Sequence, residues 1–535
     1  MKWIEQNPLL FLGILWGIFI TISASIMPLL PVDETRYMTV AWEMHFSKNW
    51  LLPTLNFEPY SHKPPLLFWL INLVWSIAGL NVWSVRILGG LIAFTSIPLT
   101  YLLAKTLCPD KEDIRTFAPV ILMSSPIFFV FGALIMFDFL QTVFVLLALI
   151  FVFKAAKTNA LKFWLLFGLM VGLGILAKGP VMLVHVMFPV LLAPLWADKR
   201  SAAQWGLWYG KLLLALLIAA GLALSWALPA AHLGGETFTN QIFWSQSAGR
   251  ISHSFAHKKP FWFYVPILLL AFLPLVLWPH AWKSLCRRNA GGAHQGLRFL
   301  LSWVIPAFLT FSLISGKQIH YLLPEFAGLS IIFASCIFSK PYNKAEWMLP
   351  FWGFLALFMA INLSPFFFGI AGLADKPFYL SIIEARSNVI SMLFVGLFII
   401  STMYFNDKAK NRVKGQLISF AMMVFLLMSL FSLQMARKGF DYYDLSPLAE
   451  NLAEYKDSPI AVNRRYQGEY GFLARIEHKI DDVSSDQLDQ WFEDNPDGVA
   501  IYRYNKQNQE PHYKIIFEAP YKTRSHIALV EKNPS

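Results

Sequence analysis

Pro64-Pro65-Leu66-Leu67-Phe68-Trp69-Leu70-Ile71-Asn72-Leu73-Val74-Trp75-Ser76-Ile77-Ala78-Gly79-Leu80 decides how the rest of the chain is threaded. The run is apolar enough to count as a membrane span. If it crossed, every later loop would change sides and the loops richest in Lys and Arg would face outward. Loops retained in the cytoplasm carry an excess of those residues. The run is therefore read as a helix lying at, or re-entering, the outer interface.

The chain around it has 535 residues, 56% hydrophobic, 16% aromatic and only 14% charged. Soluble proteins carry about 25% charged residues, so a large soluble enzyme is excluded and an α-helical polytopic membrane protein is expected. Apolar segments bounded by charges recur at 9–29, 86–104, 117–135, 139–153, 163–177, 180–197, 211–230, 262–280, 299–315, 321–338, 347–369, 388–405 and 416–434. That makes thirteen predicted spans. The first is long enough to cross at about 20 residues, which favours an uncleaved span over a signal peptide. With the N-terminus inside, 20 Lys and Arg fall on the cytoplasmic side, 11 on the opposite side and 13 beyond residue 434. An odd number of crossings leaves the last segment outside, which in the inner membrane of a bacterium is the periplasm.

The net charge of +11 does not point to nucleic acid, because the basic residues punctuate apolar runs and form no stripe. Cys108, Cys286 and Cys336 each lie near a basic cytoplasmic loop and offer no disulfide framework. The composition divides the chain into a membrane domain, 1–435, and a soluble tail, 436–535, with 13 basic and 17 acidic residues. In the tail, 446–455 and 484–493 read as helices, and 498–504, 513–517 and 527–530 read as strands by their β-branched and aromatic content. The expected result is a small α/β domain. It contains no nucleotide-binding Gly loop, no Cys-x-x-Cys spacing and no internal repeat.

Chemistry concentrates in the first outer loop: Val32-Asp33-Glu34-Thr35-Arg36-Tyr37, then Asn49-Trp50 to Asn56, then Tyr60-Ser61-His62-Lys63-Pro64-Pro65. Asp33 and Glu34 directly follow a span, and an ionisable residue at membrane depth is a functional candidate by default. The bland alternative is a pair of solvated loop charges. Asp138 is the polar element of a tight connection between two spans, and its bland alternative is a helix cap. The predicted topology puts it on the same side as Asp33. That side also collects Lys63, Lys178, Arg250 and Lys317, with His62, His253, His257 and His320 close in sequence. Cations there oppose the positive-inside trend; some, such as Lys258 and Lys259, suit anionic lipid headgroups. Arg binds phosphate through a bidentate fork and Lys as a point charge. Carboxylates beside cations at the bilayer edge suit transfer of a sugar from a lipid phosphate. The cations stabilise the departing phosphate and a carboxylate takes the acceptor's proton.

These residues carry a resemblance. Asp33-Glu34-Thr35-Arg36-Tyr37, Asn49-Trp50 to Asn56, Tyr60-x-x-Lys63-Pro64-Pro65-Leu66, Asp138, Ala177-Lys178-Gly179, Arg250 followed by His257-x-x-Pro260-Phe261-Trp262, and Lys317-x-x-His320-Tyr321-x-x-Pro324 together resemble the bacterial aminoarabinose transferase family. These are ArnT-like enzymes of GT-C fold, related to the protein O-mannosyltransferases. The resemblance covers about residues 5 to 435; the tail resembles the family in placement only. It implies thirteen membrane helices, interfacial helices in the first outer loop, and a periplasmic cavity for an undecaprenyl-phosphate sugar.

The resemblance also implies roles. Asp33 corresponds to the essential outer-loop acid and Asp138 to the second one, with Glu34 beside them as a further catalytic candidate. Tyr60, Lys63, Arg250 and Tyr321 match positions that hold the lipid phosphate, and Lys178, His257, Lys317 and His320 join them as substrate-binding candidates. Family members often carry Glu before Lys-Pro-Pro where this chain has His62. No cofactor is assigned, and a divalent metal is left open.

The expected function is an inverting glycosyltransferase that moves a sugar, such as an aminosugar, from undecaprenyl phosphate to lipid A. Protein glycosylation or another envelope glycan is the close rival. A transporter is the rival of another class; it would place charges mid-span and show related halves.

Overall fold

The computed structural model describes residues 2–244, 259–273, 275–279, 282–283, 295–338, 396, 412–505, 511–522 and 525–533. The membrane part comprises α1 (Pro8–Ile26), α2 (Asp33–Ser47), a two-strand hairpin of β1 (Thr54–Leu55) and β2 (Glu58–Pro59), α3 (Leu66–Ala78), α4 (Val82–Leu107), α5 (Glu112–Met123), α6 (Pro126–Gly132), α7 (Phe137–Thr158), α8 (Leu161–Lys178), α9 (Met182–Leu191), α10 (Ala202–Asn240), α11 (Tyr264–Ala271), α12 (Gln295–Leu313), α13 (Leu323–Ile337) and α14 (Arg412–Gln434). Among the described residues, eight helical segments are long and apolar enough to cross a membrane, or nine if the bent pair α5 and α6 is one span. This is a multi-pass membrane protein.

The predicted span 117–135 is bent, with α5 and α6 meeting at 65°. The break falls at Ser125-Pro126: the Ser125 hydroxyl accepts from the Phe128 amide at 3.4 Å, and Pro126 has no N–H to continue the preceding helix. Segments 180–197 and 262–280 are also broken, the first into α9 and Ala193–Trp196, the second into α11 and Leu275–Leu277. Predicted spans 347–369 and, but for residue 396, 388–405 lie outside the described residues, and the described spans number fewer than thirteen. One large core of Trp, Phe, Leu and Ala side chains runs through α1 and α4 to α14.

The run 64–80 forms α3, whose 13 residues rise about 20 Å, short of the roughly 30 Å hydrocarbon core. Its one strongly polar residue explains its position. Asn72 is buried, donates to the carbonyls of Ala41 and Phe68, and meets the His45 ring at 3.1 Å. α3 is thereby fastened along α2.

After α14 the chain forms α15 (Ser446–Leu452), β3 (Ile460–Val462), α16 (Gly471–Ala474), β4 (Asp481–Asp482), α17 (Leu488–Asp494), β5 (Val499–Asn505), β6 (Lys514–Tyr521) and β7 (Ser525–Glu531). The sheet order is β4-β3-β5-β7-β6. β3 runs parallel to both β4 and β5, whereas β7 is antiparallel to β5 and β6. The three predicted strands are present. β3 and β4 escaped the reading because one is three residues long and the other is two exposed aspartates. The helix expected from 484 starts at Leu488, because Ser484 to Gln487 closes a turn first.

The connection from β3 to β4 packs on α2 and α3 through particular contacts. Thr39 donates to the Gly468 carbonyl at 3.0 Å, Trp42 donates to the Ile476 carbonyl at 3.1 Å, and Trp75 stacks on Phe472 with ring centroids 5.0 Å apart. Gly468 has φ +87°, and a Cβ there would come within 2.8 Å of Leu55 and 3.0 Å of the Arg36 Cα. Only glycine allows so close an approach.

Candidate active site

The two adjacent carboxylates at the start of α2 point into different environments. Asp33 is about half exposed and faces Arg36 at 3.5 Å, one turn on. Glu34 is buried and paired with buried Arg86 at 3.1 Å. Each Glu34 oxygen accepts two hydrogen bonds: Oε1 from Arg86 and the Ile135 amide, Oε2 from Arg86 and the Leu30 amide. A carboxylate so engaged has no lone pair left for an acceptor's proton. Glu34, a catalytic candidate by sequence, is in the fold fully engaged with Arg86 and two backbone amides. Arg86 also donates to the Ala133 carbonyl, so the pair fastens the segment 133–136 that leads into α7.

That segment carries Asp138. The residue sits in the first turn of α7 and is buried. It does not cap its helix; the cap position is Met136, with no side-chain capping bond. The Asp138 carboxylate accepts from Lys178 Nζ and lies 3.8 Å from His320 Nε2. Lys178 stands over the Tyr321 ring at 4.8 Å and Lys63 over the Phe137 ring at 5.5 Å. His320 is within the electrostatic influence of Asp138, Lys178, Lys63 and Asp33. Tyr37 is similarly placed between Asp33, Tyr60 and Asp138, and burial pushes its phenol well above the usual tyrosine range.

Five separate segments therefore converge. α2 supplies Asp33 and Tyr37; the loop before α3 supplies Tyr60 and Lys63; α7 supplies Asp138; the end of α8 supplies Lys178; and the turn before α13 supplies His320 and Tyr321. Gly179, at φ +92°, ends α8 directly after Lys178, turning the chain away where a side chain would be strained. Lys317 is less central: it is buried and donates to the Lys259 carbonyl at 3.0 Å, so it fastens one loop to another. Arg250 and His257 lie outside the described residues.

Sequence reasoning missed three groups here. Tyr264 donates to the Gln318 carbonyl and is within the influence of Tyr321 and Asp138. Glu325, one turn after Tyr321, accepts from Trp303 and meets His185 at 2.7 Å, both members of the pair being buried. A carboxylate inside an apolar span was the available signal for Glu325. Among the described residues no group of three or more His, Cys, Asp or Glu side chains could hold a metal ion.

The arrangement offers an exposed carboxylate beside half-buried cations, one of which already neutralises a buried acid. A phosphate entering the cluster would meet Lys63 and Lys178 in surroundings where charge interactions are strong.

The chain is similar to several known proteins. The family model for dolichyl-phosphate-mannose-protein mannosyltransferase matches residues 62–226. Undecaprenyl phosphate-alpha-4-amino-4-deoxy-L-arabinose arabinosyl transferases are similar at 31% identity in Erwinia tasmaniensis (61% of this chain, 58% of that one). The corresponding values are 31% in an Enterobacter species (65% and 63%) and 32% in Proteus mirabilis (56% and 54%). The chain thus spans between 54 and 63% of the length of these curated relatives. In fold it is similar to ArnT from Cupriavidus metallidurans bound to undecaprenyl phosphate, with TM-score 0.72, 16% identity and coverage of 98% of this chain and 99% of that one.

Proposed function

We propose that this chain, an ArnT-like member of the GT-C family, transfers a sugar from undecaprenyl phosphate to lipid A at the periplasmic face of the bacterial inner membrane. The observation that carries the reading is the meeting of Asp33, Lys63, Asp138, Lys178, His320 and Tyr321 from separate segments at one end of the helices. The excess of Lys and Arg on the opposite loops favours a cytoplasmic N-terminus and a periplasmic tail, with 1–435 as the transferase domain and 436–535 as its soluble appendage.

In the reaction the bond between the anomeric carbon and the lipid phosphate oxygen breaks, and an acceptor oxygen bonds to that carbon from the opposite face. The leaving phosphate gains negative charge, which Lys63 and Lys178 stabilise, joined by Arg250. Asp138 holds Lys178 in place until the phosphate shares it. Tyr60 and Tyr321 line the phosphate end. Asp33, exposed and only loosely paired, takes the proton of a hydroxyl acceptor, or orients the sugar when the acceptor is an already ionised phosphate.

Mass spectrometry of lipid A from a deletion strain carrying the native gene or Asp33→Asn tests this. A sugar-sized mass increment with the native gene, falling at least about a hundredfold with Asp33→Asn at equal membrane abundance, is expected. No increment with the native protein present would refute lipid A as acceptor. A protein acceptor is the second reading, favoured by the match to the protein mannosyltransferase model; glycoprotein profiling of the same strains checks it.

A further inference from the structure

The tail contains a cleft of its own. β3 lies between two parallel neighbours, and the connections beside it leave on opposite faces of the sheet. The β3 to β4 connection packs Ala474, Ile476 and Ile480 into one core with Ile460 and Val462, whereas α17 packs Leu488 and Phe492 into the other with Ala461 and Ala500. Such a switch point opens a crevice at the carboxyl ends of the strands, where ligands of open α/β sheets bind.

Here the crevice is lined by Asn463, Arg464, Arg465, Glu469, Tyr470 and Arg503, among others. Arg503 is already satisfied by Glu469 at 2.7 Å and Tyr470 at 3.0 Å. Arg464 and Arg465 are exposed, and among the described residues neither has an ion-pair or hydrogen-bond partner. The loop that bears them is held in place. Asn463 donates to the Arg503 carbonyl and accepts from its amide, the Tyr466 amide donates to Asp482, and the Gln467 amide donates to Glu469.

The same loop reaches the candidate active site. Gln467 accepts two hydrogen bonds from Arg36, the residue that faces Asp33. Lys522 is within the influence of Arg503 and Glu469 on the cleft side and of Arg36 and Asp33 on the other, so charged groups of both signs join the cleft to Asp33.

We propose that Arg464 and Arg465 form an anion site for a phosphate monoester on the acceptor's headgroup, a phosphate other than the one that reacts. Two neighbouring guanidinium groups on a held loop match a phosphate dianion through forked, charge-assisted bonds. The position one loop away from Asp33 suits an acceptor with two separated phosphates: one is anchored on the tail and the other is delivered to the sugar. The inference rests on the lipid A reading and names the subsite that reading needs.

The test uses the full-length protein in zwitterionic nanodiscs, native and Arg464→Ala/Arg465→Ala, with bisphosphorylated and monophosphorylated lipid A as acceptors. The expected result is a roughly tenfold or greater rise in KM for the bisphosphorylated acceptor, with kcat and donor KM held and the monophosphorylated acceptor little changed. Equal kinetics of native and variant on both acceptors, or an equal loss on both, would overturn the site. Direct binding of bisphosphorylated lipid A separates the two ideas. A native protein that binds it more tightly than the variant but transfers nothing refutes the transferase reading while keeping the anion site. Competition by millimolar inorganic phosphate as strong as by the lipid would reassign the cleft to a free anion and overturn the acceptor role.

Discussion

Glu34→Gln separates a structural carboxylate from a catalytic one. In the native fold the Glu34 oxygens accept four hydrogen bonds, two from Arg86 and two from the amides of Leu30 and Ile135. Glutamine keeps the shape but turns one oxygen into an NH2 group, which then faces two donors. It also leaves the Arg86 guanidinium buried without its counter-charge. Breaking a buried pair by removing one partner costs about 3–5 kcal/mol, and the misdirected amides add to that. The expected fall in the thermal unfolding midpoint is roughly 5 °C or more in detergent, read by loss of the monodisperse peak after heating. Arg86→Met should cost a similar amount, because it strands the same carboxylate. Both variants should lose turnover in proportion to displacement of the Asp138 connection, since Arg86 also holds the Ala133 carbonyl. The reasoning is refuted if Glu34→Gln keeps the native midpoint yet loses turnover, which is the behaviour of a catalytic acid.

Lys178→Met leaves Asp138 buried without the ammonium it accepts from, only the His320 ring remaining at 3.8 Å, and should lower stability by about 3 kcal/mol or more. Adding Asp138→Asn should restore a large part of that loss, a non-additivity of about 1–3 kcal/mol in a double-mutant cycle of unfolding midpoints; additive losses would mean the pair is not coupled. Gly468→Val places a branched side chain where a Cβ already meets Leu55 and Arg36 at 3.0 Å or less, at φ +87°. The tail should lift from α2, seen as faster proteolysis after residue 436 and altered tryptophan fluorescence from Trp42 and Trp75, while the membrane part stays monodisperse.

Much of the fold was legible because the membrane imposes one-dimensional rules. Spans show as apolar runs and sidedness as a bias of Lys and Arg. The run 64–80 was readable in the same way, since the bias it would have reversed argued against crossing; the 13-residue length of its helix and Asn72, buried against Ala41, add the three-dimensional reasons. What hydropathy does not carry is breakage. The bend at Ser125-Pro126 and the division of 180–197 depend on backbone hydrogen bonding that no window average records.

The candidate site was legible as a list of residue types but not as a set of partners, and the two neighbours at the start of α2 show why. Asp33 and Glu34 are both acids following a span, so sequence treats them alike. Helical geometry turns consecutive side chains by about 100°, which sends Asp33 toward Arg36 and solvent and Glu34 into the bundle. There it meets Arg86, 52 residues on, and Ile135, 101 residues on. The burial of both acid and base cannot be inferred from either alone, because an Arg in an apolar run reads equally as a lipid contact. The consequence reaches function. The pair that engages Glu34 also holds the Ala133 carbonyl and the Ile135 amide, in the segment that leads into the helix bearing Asp138. A charge that reads as chemistry in the sequence is, in the fold, a support for the segment that carries Asp138.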